Sequence, residues 1–174
     1  MKGMMRQSFQ RLCDEQRDRI YTFACYYLGN REDAEDATQD VLVRLWRNWQ
    51  RLPAGQLPAW ITRVTRNASL DALRRRGSYR SVVRQEVGED EVARAAASGP
   101  DPAALTEAAE FRARLERALE KLPEAHRAVV VLREIQGLGY QEIAAALDLP
   151  LNTVKVYLHR GRRALREELR DHYE

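Results

Sequence analysis

The sequence predicts an all-α protein made of two small helical domains that an acidic linker joins. Apolar residues recur at helical spacing along most of the 174 residues, and no segment shows the alternation typical of a strand. The segment 85–110 carries seven acidic residues and one arginine, a net charge of −6. This composition predicts a flexible linker, with a solvated acidic surface loop as the alternative. We therefore divide the chain into residues 1–78, 79–104 and 105–174.

The first domain begins with two amphipathic helices. Helical spacing predicts the first over Ser8–Leu28, where Gly29 ends it. Asn30 can cap the second, which is expected to run to Trp49 with Asp33 at the third helical position of an approximate capping box. The core candidates of the two helices are Phe9, Leu12, Ile20, Phe23, Ala24 and Tyr27, followed by Ala34, Ala37, Val41, Leu42, Leu45, Trp46 and Trp49.

A proline- and glycine-rich loop, RLPAGQLPAW, separates the second helix from the third. The third helix is expected over Pro58–Arg76, with proline in its favoured first turn and Gly77 at its end. From Trp60 to Arg84 the chain carries seven arginines against one aspartate, a net charge of +6. Cations beside an aromatic residue and a loop suit the capture of unstacked bases. A solvated basic face with Trp60 in the core explains the same pattern equally well.

The second domain begins with two amphipathic helices, expected over Leu105–Leu122 and Pro123–Ile135, and glycines at 137 and 139 end the second. The stretch Tyr140–Leu165 then has the spacing of two helices that share one core across a short turn at Asp148–Leu151. Asn152 can cap the second of these helices. Together these features predict a helix-turn-helix. The shared core positions are Ile143, Ala144, Leu147, Leu149, Val154, Leu158, Gly161 and Leu165.

The last helix carries the charge pattern of a DNA reader. Five cations and no acid lie between Asn152 and Arg166, and phosphates favour such a surface because binding releases counterions. An ordinary basic surface helix is the alternative. The first turns of a recognition helix meet base edges, and the flanking cations meet phosphates. The candidate base readers are Thr153, Val156, Tyr157 and Arg160, and the candidate phosphate contacts are Lys155 and Arg163.

The sequence contains no recognisable catalytic or cofactor motif. It has no P-loop, dinucleotide-binding glycine pattern or nucleophile elbow, and its three histidines lack the spacing of metal ligands. We therefore expect no enzymatic activity, no cofactor and no metal. The N-terminus is charged throughout, unlike a signal peptide, and no apolar run approaches the ~20 residues of a membrane span. A cytoplasmic protein without membrane insertion is expected.

Three motifs, in order and spacing, resemble the extracytoplasmic-function (ECF) group of the bacterial sigma-70 family. They are NREDAEDATQDVLVRLWRN, LPAWITRVTRNASLDALRRR and LPEAHRAVVVLREIQGLGYQEIAAALDLPLNTVKVYLHRGRRAL. The resemblance implies sigma region 2, a three-to-four-helix bundle, in residues 1–78. It implies sigma region 4, a four-helix domain with a helix-turn-helix, in residues 105–174. The implied function is to bind core RNA polymerase, direct it to promoters and help open the duplex.

The resemblance also assigns residues and partners. The beta-prime clamp helices would contact Asp36, Gln39 and Asp40, with Trp46 as a further candidate. Without the family match, solvated side chains would be the favoured interpretation of Asp36 and Asp40. The loop Arg51–Leu57 would hold a flipped base of the minus-ten element. That site would be lined by Trp60, Arg63 and Asn67, with Arg74, Arg75 and Arg76 on the backbone. The helix-turn-helix would read the minus-thirty-five element. The expected partners are core polymerase, including its beta subunit, promoter DNA and an anti-sigma factor.

The chain departs from the family pattern at three places in its last two helices. Asp148 replaces a usual glycine in the turn, and aspartate tolerates the left-handed conformation this requires. Val156 and Tyr157 replace a usual Ser-Arg pair, which predicts contact with thymine methyls rather than bidentate recognition of guanine. Gly161 replaces a usual alanine, at an expected cost of about 1 kcal/mol in a helix interior.

Two rival functions are consistent with parts of this pattern. A stand-alone helix-turn-helix regulator would use the C-terminal reader with an N-terminal dimerisation or sensing domain. It has no need of a basic base-capture helix or of an acidic tether. A module that sequesters other regulators would leave the cationic recognition helix unexplained.

Overall fold

Seven α-helices are present in the computed structural model, which describes the backbone of residues 2–87 and 107–170 and the side chains of residues 7–77 and 107–170. No strand occurs among these residues, so the all-α prediction is confirmed. The part of the predicted linker between residues 88 and 104 lies outside the described residues. Of the described helices, none is long and apolar enough to span a bilayer.

Three helices form the N-terminal half. They are α1 (Lys2–Leu28), α2 (Arg31–Asn48) and α3 (Leu57–Val87), with a short 3-10 turn over Ala54–Gln56. Asn30 caps α2 as predicted, because its side chain accepts a hydrogen bond of 3.0 Å from the backbone N–H of Asp33. The predicted end of the third helix at Gly77 is wrong. A glycine costs a helix interior only about 1 kcal/mol, so the helix continues through it.

Four helices form the C-terminal half. They are α4 (Glu107–Glu120), α5 (Glu124–Val130), α6 (Tyr140–Leu147) and α7 (Leu151–Arg170). A π-helical segment, Val131–Ile135, continues α5. The helical region therefore ends at Ile135, as the sequence predicted. Asn152 does not cap α7, since the helix already begins at Leu151 and the N–H of Val154 is bonded to the carbonyl of Pro150.

The two halves pack against each other over one continuous apolar core. Phe23, Tyr27 and Leu28 of α1 are at most 1% exposed and belong to the same cluster as Leu119, Val129 and Leu132 of the C-terminal half. A second, smaller cluster around Val41, Leu45 and Ile61 lies entirely within the N-terminal half. The sequence left open whether the halves contact each other. In this structure they do.

Gly161 lies where α7 and α5 approach each other closely. A Cβ on residue 161 would lie 2.5 Å from Cγ2 of Val130, a branched side chain that is itself only 2% exposed. The absence of a side chain at residue 161 therefore permits this close packing of the two helices.

We expect Gly161→Ala to lower the free energy of unfolding by about 1 kcal/mol. Overpacking typically costs about 1–3 kcal/mol, and the better helix propensity of alanine returns up to about 1 kcal/mol of this. Urea denaturation followed by circular dichroism measures the change. The double variant Gly161→Ala/Val130→Ala provides the control, because removal of the clashing methyl should make the Gly161→Ala step stabilising. A stabilised single variant would contradict the close packing.

Candidate functional site

The helix-turn-helix consists of α6, the turn at Asp148–Pro150 and α7. Asp148 takes the left-handed conformation, with φ 54° and ψ 49°, and its N–H donates to the carbonyl of Ala144. The N–H of Leu149 also donates to Ala144. Ile143 and Val154, one from each helix, are fully buried in the same core. Asp148 thus makes the turn that the sequence predicted in place of a glycine.

The outer side of α7 carries the candidate readers, which we name the recognition face: Thr153, Lys155, Val156, Tyr157, Arg160 and Arg163. Lys155, Val156 and Arg160 are exposed, and Val156 presents 43% of its surface to solvent. Thr153 is partly buried, and Arg163 forms an exposed ion pair of 2.9 Å with Glu167. Cationic and apolar groups therefore lie side by side on one accessible helix.

Tyr157 packs against other side chains, a contact that its predicted role as a base reader does not need. Its ring lies 4.8 Å from that of His126, centroid to centroid, and it packs against the apolar core. Burial, with the nearby cation of Arg160, lowers the pKa of His126, which favours the neutral imidazole against the tyrosine ring. Only part of the Tyr157 side chain remains available to a ligand.

The candidate minus-ten residues on α3, which we name the strand surface, are Trp60, Arg63, Asn67, Arg74, Arg75 and Arg76. Trp60 is half-buried against the small N-terminal cluster, as the alternative interpretation of this helix expected. Arg74 and Arg75 are exposed, whereas Arg76 is partly buried with its guanidinium 3.5 Å from Asp33. The cations of this surface thus differ in how freely they could meet a phosphate.

Arg63 has partners that the sequence did not indicate. Its Nη2 donates to the carbonyl of Ala145 at 2.9 Å and its Nε to that of Ala146 at 3.2 Å, both in the last turn of α6. A cleft of about 190 Å³ separates this part of α3 from α6. Asn67 lines the cleft and accepts a hydrogen bond of 3.1 Å from Arg66. The helix-turn-helix therefore contacts the strand surface through Arg63, while Arg63 and Asn67 both remain exposed to solvent.

One side of α2 presents acids and apolar groups together, and we name it the docking face: Asp36, Gln39, Asp40, Val43 and Trp46. Asp40 is half-buried and forms an ion pair of 2.7 Å with Arg44. Trp46 is 56% exposed, and its ring packs edge-on against Phe9 with 4.7 Å between centroids.

Val43 belongs to the docking face although sequence reasoning missed it. It is 47% exposed and lies seven residues after Asp36 and three before Trp46, a spacing that places all three on one side of a helix. That spacing could have revealed it. Val43 and Trp46 together form a small exposed apolar patch beside the acids of the docking face.

Two family descriptions match this chain. Sigma-70 region 2 matches residues 12–79, which hold the docking face and the strand surface, and Sigma-70, region 4 matches residues 112–165, which hold the helix-turn-helix. The ECF RNA polymerase sigma factor SigW of Bacillus subtilis is 30% identical over 168 residues, covering 94% of this chain and 90% of SigW. The chain belongs to the ECF sigma factors.

Other relatives of this ECF sigma factor agree with that assignment. SigE of Mycolicibacterium smegmatis, also an ECF RNA polymerase sigma factor, is 39% identical over 165 residues. The match covers 95% of this chain but only 63% of SigE, so the chain spans less than two thirds of that relative.

Solved structures of two other proteins share the fold of this ECF sigma factor. CnrH, in complex with the cytosolic domain of CnrY, superposes with a TM-score of 0.71 at 22% identity and covers 96% of this chain and 90% of CnrH. The sigma factor RpoE in complex with the anti-sigma factor NepR, from Bartonella quintana, also gives 0.71, at 24% identity. That match covers 94% of this chain and 98% of RpoE.

Proposed function

We propose that this ECF sigma factor binds core RNA polymerase, directs it to specific promoters and assists opening of the duplex. The observation that carries the proposal is the presence of three surfaces of different chemistry on three separate helices. They are the docking face of α2, the strand surface of α3 and the recognition face of α7. A polymerase subunit that must hold a protein, a single strand and a duplex needs all three.

The docking face is suited to the beta-prime clamp helices of the polymerase. Exposed Trp46 and Val43 would supply the apolar centre of the interface, and Asp36, Gln39 and Asp40 would supply polar contacts at its edge. Protein interfaces commonly combine a buried aromatic anchor with a polar rim. A stand-alone DNA-binding regulator has no evident use for this face, which favours the polymerase subunit over that alternative.

The strand surface would capture the minus-ten element after its bases unstack. Trp60 and Asn67 would receive an extruded base, Arg63 would approach it once released from α6, and Arg74, Arg75 and Arg76 would hold the backbone. Extrusion of a base costs a few kcal/mol, which contacts of this kind offset without any nucleotide hydrolysis. All catalytic steps of transcription would then be carried out by the polymerase.

The recognition face would read the minus-thirty-five element as duplex. Lys155 and Arg163 would contact phosphates, and Thr153, Val156, Tyr157 and Arg160 would approach base edges in the major groove. The exposed methyls of Val156 suit contact with a thymine methyl. The expected partners thus include promoter DNA, core polymerase with its beta subunit, and an anti-sigma factor. Action on polymerase would place the protein in the cytoplasm.

Reconstituted transcription tests this proposal. Core polymerase is incubated with a promoter library in the presence and absence of the purified full-length chain, and start sites are mapped. The expected result is a set of start sites that core polymerase alone does not use. Tight sequence-specific binding of the chain to free duplex, without any association with core polymerase, would instead favour the stand-alone regulator.

Arg160→Ala is expected to relax base preference at one position of the upstream element by about tenfold, because a good contact to a base edge contributes about 1–3 kcal/mol of discrimination. Selection from a randomised duplex library measures this preference. Arg162→Ala is the matched control, since the guanidinium of Arg162 is already held by Glu134 at 2.6 Å. An unchanged preference in the Arg160 variant would remove this residue from the readers.

A further inference from the structure

His126 on α5 and Tyr157 on the recognition face form a contact between aromatic rings. The ring centroids lie 4.8 Å apart and the ring planes meet at 51°. Both residues are partly buried, and Tyr157 also packs against the apolar core. Pairs of rings at this distance favour particular relative orientations. The orientation of Tyr157 therefore depends on a residue of α5, which lies outside the helix-turn-helix.

Gly161, one turn after Tyr157, brings the same side of α7 close to His126. A Cβ on residue 161 would lie 3.8 Å from the Cβ of His126 and 3.7 Å from its carbonyl oxygen. Residues four apart lie on the same side of a helix, so Tyr157 and Gly161 both face His126. His126 therefore lies against two successive turns of α7, and its ring is held beside that of Tyr157.

Val156 and Arg160 are the candidate readers next to Tyr157, and both are exposed. Val156 precedes Tyr157 in the sequence, and Arg160 lies one turn after it on the helix. Burial and the charge of Arg160 lower the pKa of His126, so the guanidinium lies near the imidazole. A Tyr157 ring that left His126 would have room to lie over either of these two readers.

We propose that His126 is a positioning residue for promoter recognition, which holds the ring of Tyr157 against α5 and thereby leaves Val156 and Arg160 free to enter the major groove. This inference deepens the proposed function of the recognition face and rests on it. With its ring held, Tyr157 meets DNA only with the part that His126 and the core leave uncovered. A released ring would shield the methyls of Val156 from a thymine methyl.

Transcription from a promoter library randomised over the upstream element measures this role, with core polymerase and the full-length chain. The base pair that Val156 contacts is the one at which Val156→Ala lowers the preference for thymine over cytosine. At that position His126→Ala is expected to lower the same preference by about fivefold, because the contact of the valine methyls is shielded. Thymine preference that Val156→Ala affects nowhere, or that His126→Ala leaves unchanged, would overturn the inference.

His126→Phe is the conservative variant, since it keeps an aromatic ring beside Tyr157. It should retain the wild-type base preference at every position of the upstream element. A loss in His126→Phe as large as in His126→Ala would mean that the imidazole has a role other than holding the tyrosine ring. That result would contradict the positioning of Tyr157 by ring contact.

A double-mutant cycle shows whether His126 acts through Tyr157. In a chain that carries Tyr157→Ala there is no ring to hold, so the further change His126→Ala should alter the thymine preference by less than about twofold. A loss in that background as large as in the wild-type background would mean that His126 acts by another route. It would therefore not be a positioning residue for Tyr157.

Loss of stability alone does not produce the expected change in preference. Each preference is a ratio between promoters measured with one protein sample, so a smaller folded fraction lowers all of them alike. Ile20→Val is the matched control, because Ile20 is buried in the small cluster of the N-terminal half and its truncation lowers stability. A change in its base preferences equal to that of His126→Ala would overturn the inference.

NMR of the imidazole in the free full-length chain tests the contact without DNA. Tyr157→Ala uncovers the imidazole and Arg160→Gln removes a like charge, so each change should raise the pKa of His126. Arg162→Gln is the control, since Arg162 is held by Glu134 at 2.6 Å. An unchanged pKa in both of the first two variants would overturn the contact. A wild-type chain that gives core polymerase no start sites would instead remove the proposed function, and with it the role of His126 in promoter recognition.

Discussion

Arg127→Met is expected to lower the free energy of unfolding by about 3 kcal/mol, because it removes the donor for three backbone carbonyls at the boundary between the two halves. The side chain donates to Tyr27 at 2.8 Å, to Glu120 at 2.5 Å and to Leu122 at 3.1 Å. Arg127 is only 5% exposed. Each carbonyl left without a partner in such a place costs about 1 kcal/mol or more.

The environment of Arg127 explains why the guanidinium is difficult to replace. Burial lowers its pKa, although the group stays protonated, and its plane lies over the ring of Tyr27 with 5.5 Å to the centroid. A planar group with several donors can serve three acceptors in different directions, whereas a lysine ammonium on a flexible stem would serve fewer of them. Arg127→Lys should therefore recover only part of the lost stability.

Urea denaturation of the full-length chain, followed by circular dichroism, measures the effect. Methionine retains much of the length of the arginine side chain, so the loss of stability comes mainly from the unpaired carbonyls and less from a cavity. Arg117→Met is the matched control, since Arg117 is exposed on α4 and its replacement should change stability by less than about 0.5 kcal/mol. A difference below about 1 kcal/mol between the Arg127 variant and the wild type would mean that the carbonyls find other partners.

Local features of the fold could be predicted because each depends on residues close together in the sequence. The asparagine cap at Asn30 and the left-handed turn at Asp148 follow from side chains that act on their own backbone. The end of α3 could not be predicted from Gly77, because a glycine weakens a helix interior by only about 1 kcal/mol and does not necessarily end it. The start of α7 was predicted two residues too late, because Asn152 was expected to precede the helix as its cap and Leu151 is already helical.

Contacts between residues far apart in the sequence could not be predicted from the sequence. Arg63 and Arg127 donate to backbone carbonyls 82 and 100 residues away, and a carbonyl acceptor has no side-chain signature. Gly161 was expected to lie in the shared core and to weaken its helix, but the sequence did not indicate that its contact with Val130 requires the position to lack a Cβ. The candidate residues on α2 and α3 were predicted from the family motifs, and those on α7 from the spacing and charge of its sequence. What the motifs could not indicate is that Arg63 of this site would donate to two backbone carbonyls of α6.

Trp46→Ala is expected to weaken the affinity for core polymerase by about 30-fold, the equivalent of about 2 kcal/mol. Trp46 is 56% exposed, yet its ring is held in place by an edge-on contact with Phe9. An aromatic side chain that is exposed and already fixed loses little conformational entropy on binding. Such residues typically contribute most of the energy of an interface.

The measurement is a titration of core polymerase against the labelled full-length chain, with transcription from a preferred promoter as a second readout. Saturating concentrations of the variant should restore transcription, because the defect lies in affinity. Phe111→Ala is the matched control: Phe111 is also an exposed aromatic, at 46%, but it lies on α4 in the other half. The thermal midpoint of both variants is recorded as well, since loss of the contact with Phe9 removes about 0.5–1.5 kcal/mol of stability.

Trp46→Phe separates two explanations of a weakened complex. If the ring acts as an apolar anchor, phenylalanine should recover most of the affinity while the acids of the docking face are unchanged. If Asp36 and Asp40 instead dominate, Trp46→Ala should change affinity less than twofold, and the interaction should weaken steeply with salt. That second result would contradict the aromatic anchor and make electrostatic steering the basis of docking. The exposed position of Val43 between these groups favours the apolar anchor, because a purely electrostatic surface gains nothing from an exposed valine.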